Sequence, residues 1–223
     1  MKIFKTLALV FITLISTNSF AQQTAKKVGV IFNIDGPFKI YKQAVYATTS
    51  TDKDVVEKDK FYGVIQFLGT EKENPLPRLQ EFYLNALKEK GYDPIILDEA
   101  VNKDNFSKFT EKKKDGDFYD LDIRNFKQKY NVDDVIIVKG QYGLEVEMVY
   151  GFGGDKRTNI GFVNYLVDTN TNILKKKFNV YKYQNIHKKD LINPPDYPNV
   201  TESMDLLLNK KIFPSLKSKI LDL

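Results

Sequence analysis

The segment Gly151-Phe-Gly-Gly-Asp-Lys-Arg157 combines three glycines with two cationic side chains, a composition that can surround a phosphate group. It matches neither the dinucleotide-binding fingerprint nor the Walker loop. The residues after it have strand composition, so no helix N-terminus would face an anion. The pattern therefore favours the tip of a β-hairpin over a phosphate site.

Four aspartates lie close together in Asp115-Gly-Asp-Phe-Tyr-Asp120-Leu-Asp122, and such a cluster can hold a hard cation such as calcium. The EF-hand order fails, because glycine is the second residue and Phe126 stands where the bidentate acid belongs. Asp120 is predicted instead to cap a helix, with Asp122 in its first turn. We therefore expect no metal at this segment.

The residues that could perform acid–base chemistry are few. His187 is the single histidine, and its lysine neighbours would hold it neutral. The pairs Asp133-Asp134 and Glu145 with Glu147 could in principle act as acid and base. The two glutamates alternate with core-directed residues, which favours a solvated sheet face. No Gly-x-Ser-x-Gly motif occurs, so the sequence predicts no catalytic residue, no cofactor and no metal site.

Composition excludes several further classes of function. The chain has no cysteine, which removes disulfides, thiolate metal sites and cysteine nucleophiles, and one histidine cannot form a multi-histidine metal centre. The formal net charge is +5, but only three of the cations are arginines. The run Lys112–Lys114 is flanked by acidic residues and is expected to be solvated surface. We therefore expect no nucleic-acid partner.

The N-terminus has the order of an export signal. A positive segment at Met1–Lys5 precedes an apolar stretch at Leu7–Ile15, and Ser19-Phe20-Ala21 offers small residues at the cleavage positions. Residues 1–21 are thus predicted to be a signal peptide, and residues 22–223 a single domain. Without cysteine, the bacterial lipid anchor is excluded. No later stretch is long and apolar enough for a transmembrane helix, which predicts a periplasmic protein.

The first half of the domain is predicted to alternate strands and helices. Residues 38–47 fit either a helix or a strand, and residues 100–118 fit a short helix or an irregular crossing. The other predicted elements are a strand at Lys27–Phe32 ending in a turn at Asp35-Gly36-Pro37, a strand at Phe61–Phe67, a helix opened by Pro75 and Pro77 and closed at Gly91, a strand at Asp93–Leu97 and a helix at Leu121–Tyr130.

The second half is predicted to be a strand meander followed by a helix. The strands are Val135–Tyr150, Ile160–Val167 and Leu174–Tyr183. Asn199-Val-Thr-Glu202 has the spacing of a capping box, and Pro214 is predicted to break or kink the helix that follows. The fold class predicted is α/β (α+β): one domain, in which a mixed sheet with packed helices ends in a C-terminal antiparallel meander.

Three segments together resemble a known envelope family. In Leu87–Ile96 a helix ends and a buried strand begins. In Phe126–Gly143 a helix is followed by an acidic turn and an apolar strand, and Leu166–Leu174 has the pattern of a hairpin. The family comprises periplasmic lipoproteins related in fold to the curli-secretion pore subunit and to activators of penicillin-binding proteins. The resemblance implies assembly with other envelope proteins and supplies no catalytic residues. The lipid-bearing cysteine is absent, and residues 38–74 form a longer insertion.

These observations predict a non-enzymatic exported protein that acts as an interaction or accessory module of a periplasmic assembly. The partner is expected to be an envelope protein or a second copy of the chain. Tyr142, Tyr150 and Phe152 near a hairpin are candidate interface anchors, although core packing explains any one of them as well. The alternatives are a small-ligand-binding periplasmic protein, in which such aromatics line a pocket, and a hydrolase.

Overall fold

A five-stranded sheet organises the protein, with the strand order β2-β1-β3-β4-β5. The structure is a computed structural model that describes residues 25–43, 63–70, 73–111, 117–149, 152–186 and 196–223. β1 pairs in parallel with β2 and β3, whereas β4 is antiparallel to β3 and β5. The predicted mixed sheet with a C-terminal antiparallel meander is confirmed. The strands are β1 (Lys27–Gln43), β2 (Asp93–Ile96), β3 (Asp134–Val149), β4 (Phe152–Asp168) and β5 (Leu174–Asn185).

The strand β1 is longer than predicted. The expected turn at Asp35-Gly36-Pro37 is a bulge, since the register with β3 shifts between Asp35 and Phe38 and the strand continues to Gln43. Of the ambiguous residues 38–47, those up to Gln43 are therefore strand, and 44–47 lie outside the described residues. Gly36 has a φ of +149°, and a Cβ there would lie 2.7 Å from the Tyr142 ring, so glycine is required.

Residues 63–68 are helical, so the predicted strand Phe61–Phe67 is wrong over the part that the structure describes. Val64 and Leu68 are fully buried and four residues apart, which is the spacing of one helix face. The apolar run looked like a strand because a short segment shows too few periods to distinguish the two.

The predicted helix after Pro75 is confirmed as α1 (Leu76–Glu89). It buries Leu79, Tyr83 and Leu87 against the sheet. Gly91 ends it with a φ of +93°, its N–H donating to the Lys88 carbonyl at 2.9 Å. The left-handed cap that the sequence predicted is therefore present.

The C-terminal helices complete the same layer. They are α3 (Pro198–Leu206), the π-helical turn Leu207–Ile212 and α4 (Phe213–Leu221). The capping-box prediction at Asn199 is wrong, because Tyr197, in the left-handed region and without a side-chain cap, precedes the helix. Pro214 neither ends nor interrupts the helical path. The wide π-helical turn directly before it relieves the clash between the proline ring and the preceding turn.

The described residues cover the opposite face of the sheet only in part. An irregular crossing, residues 97–111 and 117–124, packs Leu97, Val101 and Phe106 over β1 and β3. It ends in α2 (Asn125–Tyr130), which is shorter than the predicted Leu121–Tyr130, and Asp120 does not cap it. Among the described helices, none has the length and apolarity needed to cross a membrane.

Candidate functional site

The part of the second sheet face over which no described segment packs presents its side chains in cross-strand rows. Because successive side chains of a strand point to opposite faces, positions two apart share one face. The strand pairings align two rows, Asn33–Lys139–Val163–Asn179 and Asp35–Gln141–Gly161–Tyr181. We call these eight residues the open half of the sheet. They form the floor of a cavity of about 1130 Å³, which we call the cleft.

The irregular crossing forms the wall of the cleft, through residues 98–103 and 119–121. Asn172, in the β4–β5 turn, holds this wall in place. Its Oδ1 accepts from the Ile123 N–H at 3.1 Å, and its Nδ2 donates to the carbonyls of Tyr119 at 2.9 Å and Leu121 at 3.1 Å. Asn33 on the floor donates to the Val101 carbonyl at 2.9 Å. The wall is therefore held by these side-chain hydrogen bonds together with backbone pairing, in which the Tyr119 N–H donates to the Asn172 carbonyl at 3.1 Å.

Tyr119 and Lys139 meet where the wall joins the floor. The Lys139 Nζ lies 5.3 Å from the centroid of the Tyr119 ring, which packs edge-on against Tyr165 at 5.4 Å. Burial raises the pKa of Tyr119, and Tyr165 and Asp120 add to this effect. Burial also lowers the pKa of Lys139, with Asp120 opposing it. The phenol is therefore neutral at pH 7, and the ammonium is less well solvated than a surface lysine.

A buried polar cluster lies beside the open half. Glu145 is fully buried, 3.5 Å from Arg157 across the strand pair, and accepts a hydrogen bond from the Tyr181 hydroxyl. The expectation that Glu145 lies on a solvated face is therefore wrong. Its cross-strand neighbours, which a period-two pattern cannot reveal, cover it. Next to it, Asn159 is fully buried with both amide atoms unpaired among the described residues.

The other candidate carboxylates are engaged in structural ion pairs. Asp134 is buried between Lys26 and Lys175, each at 2.6 Å, and Asp133 lies 2.6 Å from Lys127. Asp122, part of the aspartate cluster that could have held a cation, pairs with the Arg124 guanidinium at 2.7 Å. Within the described ranges, no group of three or more histidine and acidic residues could hold a metal.

Several predicted residues lie beyond what the structure describes. They are His187, Asp115 and Lys112–Lys114, and the side chains of Glu147, Tyr150 and Phe152. The hairpin tip predicted at Gly151–Arg157 is wrong over residues 152–157, because β4 begins at Phe152 and pairs with β3 from that residue onward. Tyr142 is buried in the core at 4% exposure, so it packs the fold and is no interface anchor.

The residues of the cleft were missed from the sequence. Lys139 and Gln141 follow a continuous apolar run, and Tyr119 lies in a segment without periodicity. The alternation Lys177, Asn179, Tyr181 in β5 was the one available signal, since it marks a polar face. Together these side chains offer hydrogen-bond donors and acceptors beside flat aromatic rings.

Comparisons with known proteins establish no family. No protein-family model matches the chain, and no curated protein matches it in sequence. The solved structures that match include lipoprotein GNA1162 from Neisseria meningitidis, 10% identical with a TM-score of 0.34, over 83% of this chain and 99% of that one. The PelC dodecamer from Paraburkholderia phytofirmans is 12% identical with a TM-score of 0.30, over 84% of this chain and 89% of that one. Hypothetical protein CT253 from Chlamydia trachomatis is 8% identical with a TM-score of 0.36, over 88% and 96%. Such similarities assign no ligand or partner, and the family resemblance in the sequence stays a prediction.

Proposed function

We propose that this protein is a non-enzymatic, exported module of the bacterial envelope, which binds a segment of another envelope protein in the cleft. The proposal of export rests on the order of charged, apolar and small residues in 1–21. The observation that carries the binding role is the open half of the sheet, over which no described segment packs. This face presents Tyr181, and tyrosine is among the side chains enriched at protein interfaces.

The charges around the cleft indicate the chemistry of the partner segment. Asp98 and Asp120 are exposed along the rim, on the wall, and Asp35 is exposed on the floor, whereas Lys139 on the same floor is half-buried. Basic side chains of a partner segment could pair with the exposed aspartates, and a hydrogen-bond acceptor at the centre of the segment could pair with Lys139. Such complementarity between charges favours specific partners over chance contacts.

The ion pairs of the buried carboxylates support a non-enzymatic role. Catalysis needs a convergent set of activated groups near one reacting atom. Asp134 is held by two lysines, and Glu145 by Arg157 and Tyr181. These carboxylates stabilise the fold, and their ion pairs compete with any role as base.

A second candidate function, binding of a small molecule, is favoured by one observation. The cleft has a volume of about 1130 Å³, and aromatic rings and polar side chains line it together. Small ligands occupy concave sites of several hundred Å³ with a few fixed polar groups. In this alternative the same residues recognise a free metabolite rather than a partner segment.

Site-specific photocrosslinking tests the proposed function. A crosslinking amino acid at position 179, on the cleft floor, is compared with one at position 85, an exposed asparagine on α1. We expect one discrete adduct at position 179 and none at 85, and we expect Tyr165→Ala to abolish it. The purified partner must then rebind in vitro. A second copy of this chain in the adduct would identify a homo-oligomer.

Absence of any adduct at position 179, with thermal stabilisation by a small-molecule extract of the envelope, would overturn the proposal in favour of the small-ligand binder. An equally strong adduct at position 85 would show that the cleft is not the binding surface.

A further inference from the structure

Two donors that line the cleft have no hydrogen-bonding partner among the described residues. The Tyr119 hydroxyl is buried and makes no hydrogen bond within the described part of the chain. The Lys139 ammonium is half-buried and forms no ion pair with any described carboxylate. Native structures rarely leave buried donors unpaired, so each such group requires an explanation.

The side chains of Lys139 and Tyr119 are neighbours in the cleft. Lys139 Nζ lies 5.3 Å from the centre of the Tyr119 ring, and both residues line the cleft. Tyr119 stands on the wall, which Asn172 fixes, and Lys139 stands on the floor between the neighbouring strands β1 and β4. Their relative position is therefore set by the fold before any ligand arrives.

The chemistry of the two donors selects the group that would pair with them. Both groups can donate a hydrogen bond to an anion, because the lysine ammonium carries only donors and the phenol keeps its proton at pH 7. A carboxylate offers two oxygens, so that one can accept from the ammonium and the other from the hydroxyl. The acidic residue Asp120 is close enough to influence the pKa of both groups, and it disfavours a second negative charge there.

We propose that Lys139 and Tyr119 form a carboxylate-binding subsite of the cleft. It takes a monoanion whose flat or apolar part lies against Tyr165, and it discriminates against dianions such as hydrogen phosphate. This inference rests on the proposed binding function and deepens it. The carboxylate comes either from an acidic residue of a partner segment or from a small molecule.

Chemical-shift mapping with simple probes tests the subsite on the purified protein. Benzoate is compared with benzamide, which has the same shape without the charge, and with inorganic phosphate. We expect benzoate to shift the amide signals of residues 119, 139 and 165, and to bind about tenfold more tightly than benzamide or phosphate, the effect of one charge-assisted hydrogen bond.

Variants locate the effect. Lys139→Met is expected to weaken benzoate binding about tenfold, and Tyr119→Phe about threefold, without changing the binding of benzamide. Lys177→Met is the matched control, because Lys177 lies 5.3 Å from the Tyr165 ring in the same way but does not line the cleft. Tyr119→Phe removes a hydroxyl without a partner and is expected to remain as stable as the parent.

A capped peptide with one glutamate, and its glutamine counterpart, distinguish the two sources of the carboxylate. Tighter binding of the glutamate peptide than of benzoate supports a partner segment, and the reverse supports a small molecule. Equal affinity for benzoate and benzamide, equal affinity for phosphate, or an unchanged affinity of Lys139→Met would overturn the subsite. None of these results depends on the adduct at position 179, so the proposed function stands or fails separately.

Discussion

Replacement of Asn172 by alanine tests how the wall of the cleft is held. Asn172 is fully buried with a φ of +61°, and its side chain makes three hydrogen bonds to the segment Tyr119–Ile123. The alanine variant leaves one buried N–H and two buried carbonyls unpaired, each at a cost of about 1 kcal/mol at the low end of the usual range. The left-handed backbone adds about 1 kcal/mol for alanine. We expect a loss of about 4 kcal/mol in the free energy of unfolding.

Urea denaturation measures this loss, and two variants provide internal controls. Asn172→Gly loses the same hydrogen bonds without the backbone strain, so it should be about 1 kcal/mol more stable than Asn172→Ala. Asn170→Ala changes an exposed asparagine of the same turn and should lie within about 0.5 kcal/mol of the parent. A loss below about 1 kcal/mol for Asn172→Ala would refute the role of Asn172 in fixing the wall.

Three further predictions concern acid stability, the cleft lysine and the floor glycines. Burial raises the pKa of Asp168, but Lys175 and two backbone N–H groups of the turn outweigh it and lower the pKa to about 2. The lowered pKa contributes about 2 kcal/mol to the free energy of unfolding above about pH 4, and this contribution is lost as the pH falls toward 2. Urea unfolding of Asp168→Asn at several pH values should lack this loss, and a profile like that of the parent would contradict the prediction. Because burial lowers the pKa of Lys139, its signal in ¹³C NMR of the methylated protein, assigned with Lys139→Arg, should titrate below the usual lysine range; titration within or above that range would count against a half-buried ammonium. Gly140→Ala would place a Cβ 2.1 Å from a backbone carbonyl and should cost about 3 kcal/mol in urea unfolding, whereas Gly161→Ala meets only a side-chain ring and should cost about 1 kcal/mol; equal losses would contradict the packing described.

The elements that could be predicted from the sequence are those with a clear period or a specific end signal. The helix α1 has an apolar stripe, an opening proline and the left-handed Gly91, and its prediction is confirmed. The meander β3–β4–β5 is confirmed because its strands alternate and its turn residues lie between them. The local sequence pattern is enough to predict an element where its buried residues recur with the period of the helix or strand that they form.

The candidate site could not be predicted, because tertiary contacts between distant segments create it. Asn172 was recognised as a turn residue, but its contacts with Tyr119 and Leu121 join segments about fifty residues apart. Glu145 alternates as a solvated residue would, yet Arg157 and Tyr181 from two other strands bury it. The irregular crossing has no period at all, so nothing in the sequence placed Tyr119 above Lys139.

The position of the binding surface is tested most directly by amide chemical-shift mapping of the protein with the partner captured at position 179. We predict that the shifted signals lie in residues 139–141, 161–163, 165 and 179–181, which line the cleft, and that Lys139→Met weakens the complex. Shifts concentrated in α1 and α4, on the opposite side of the sheet, would contradict the account.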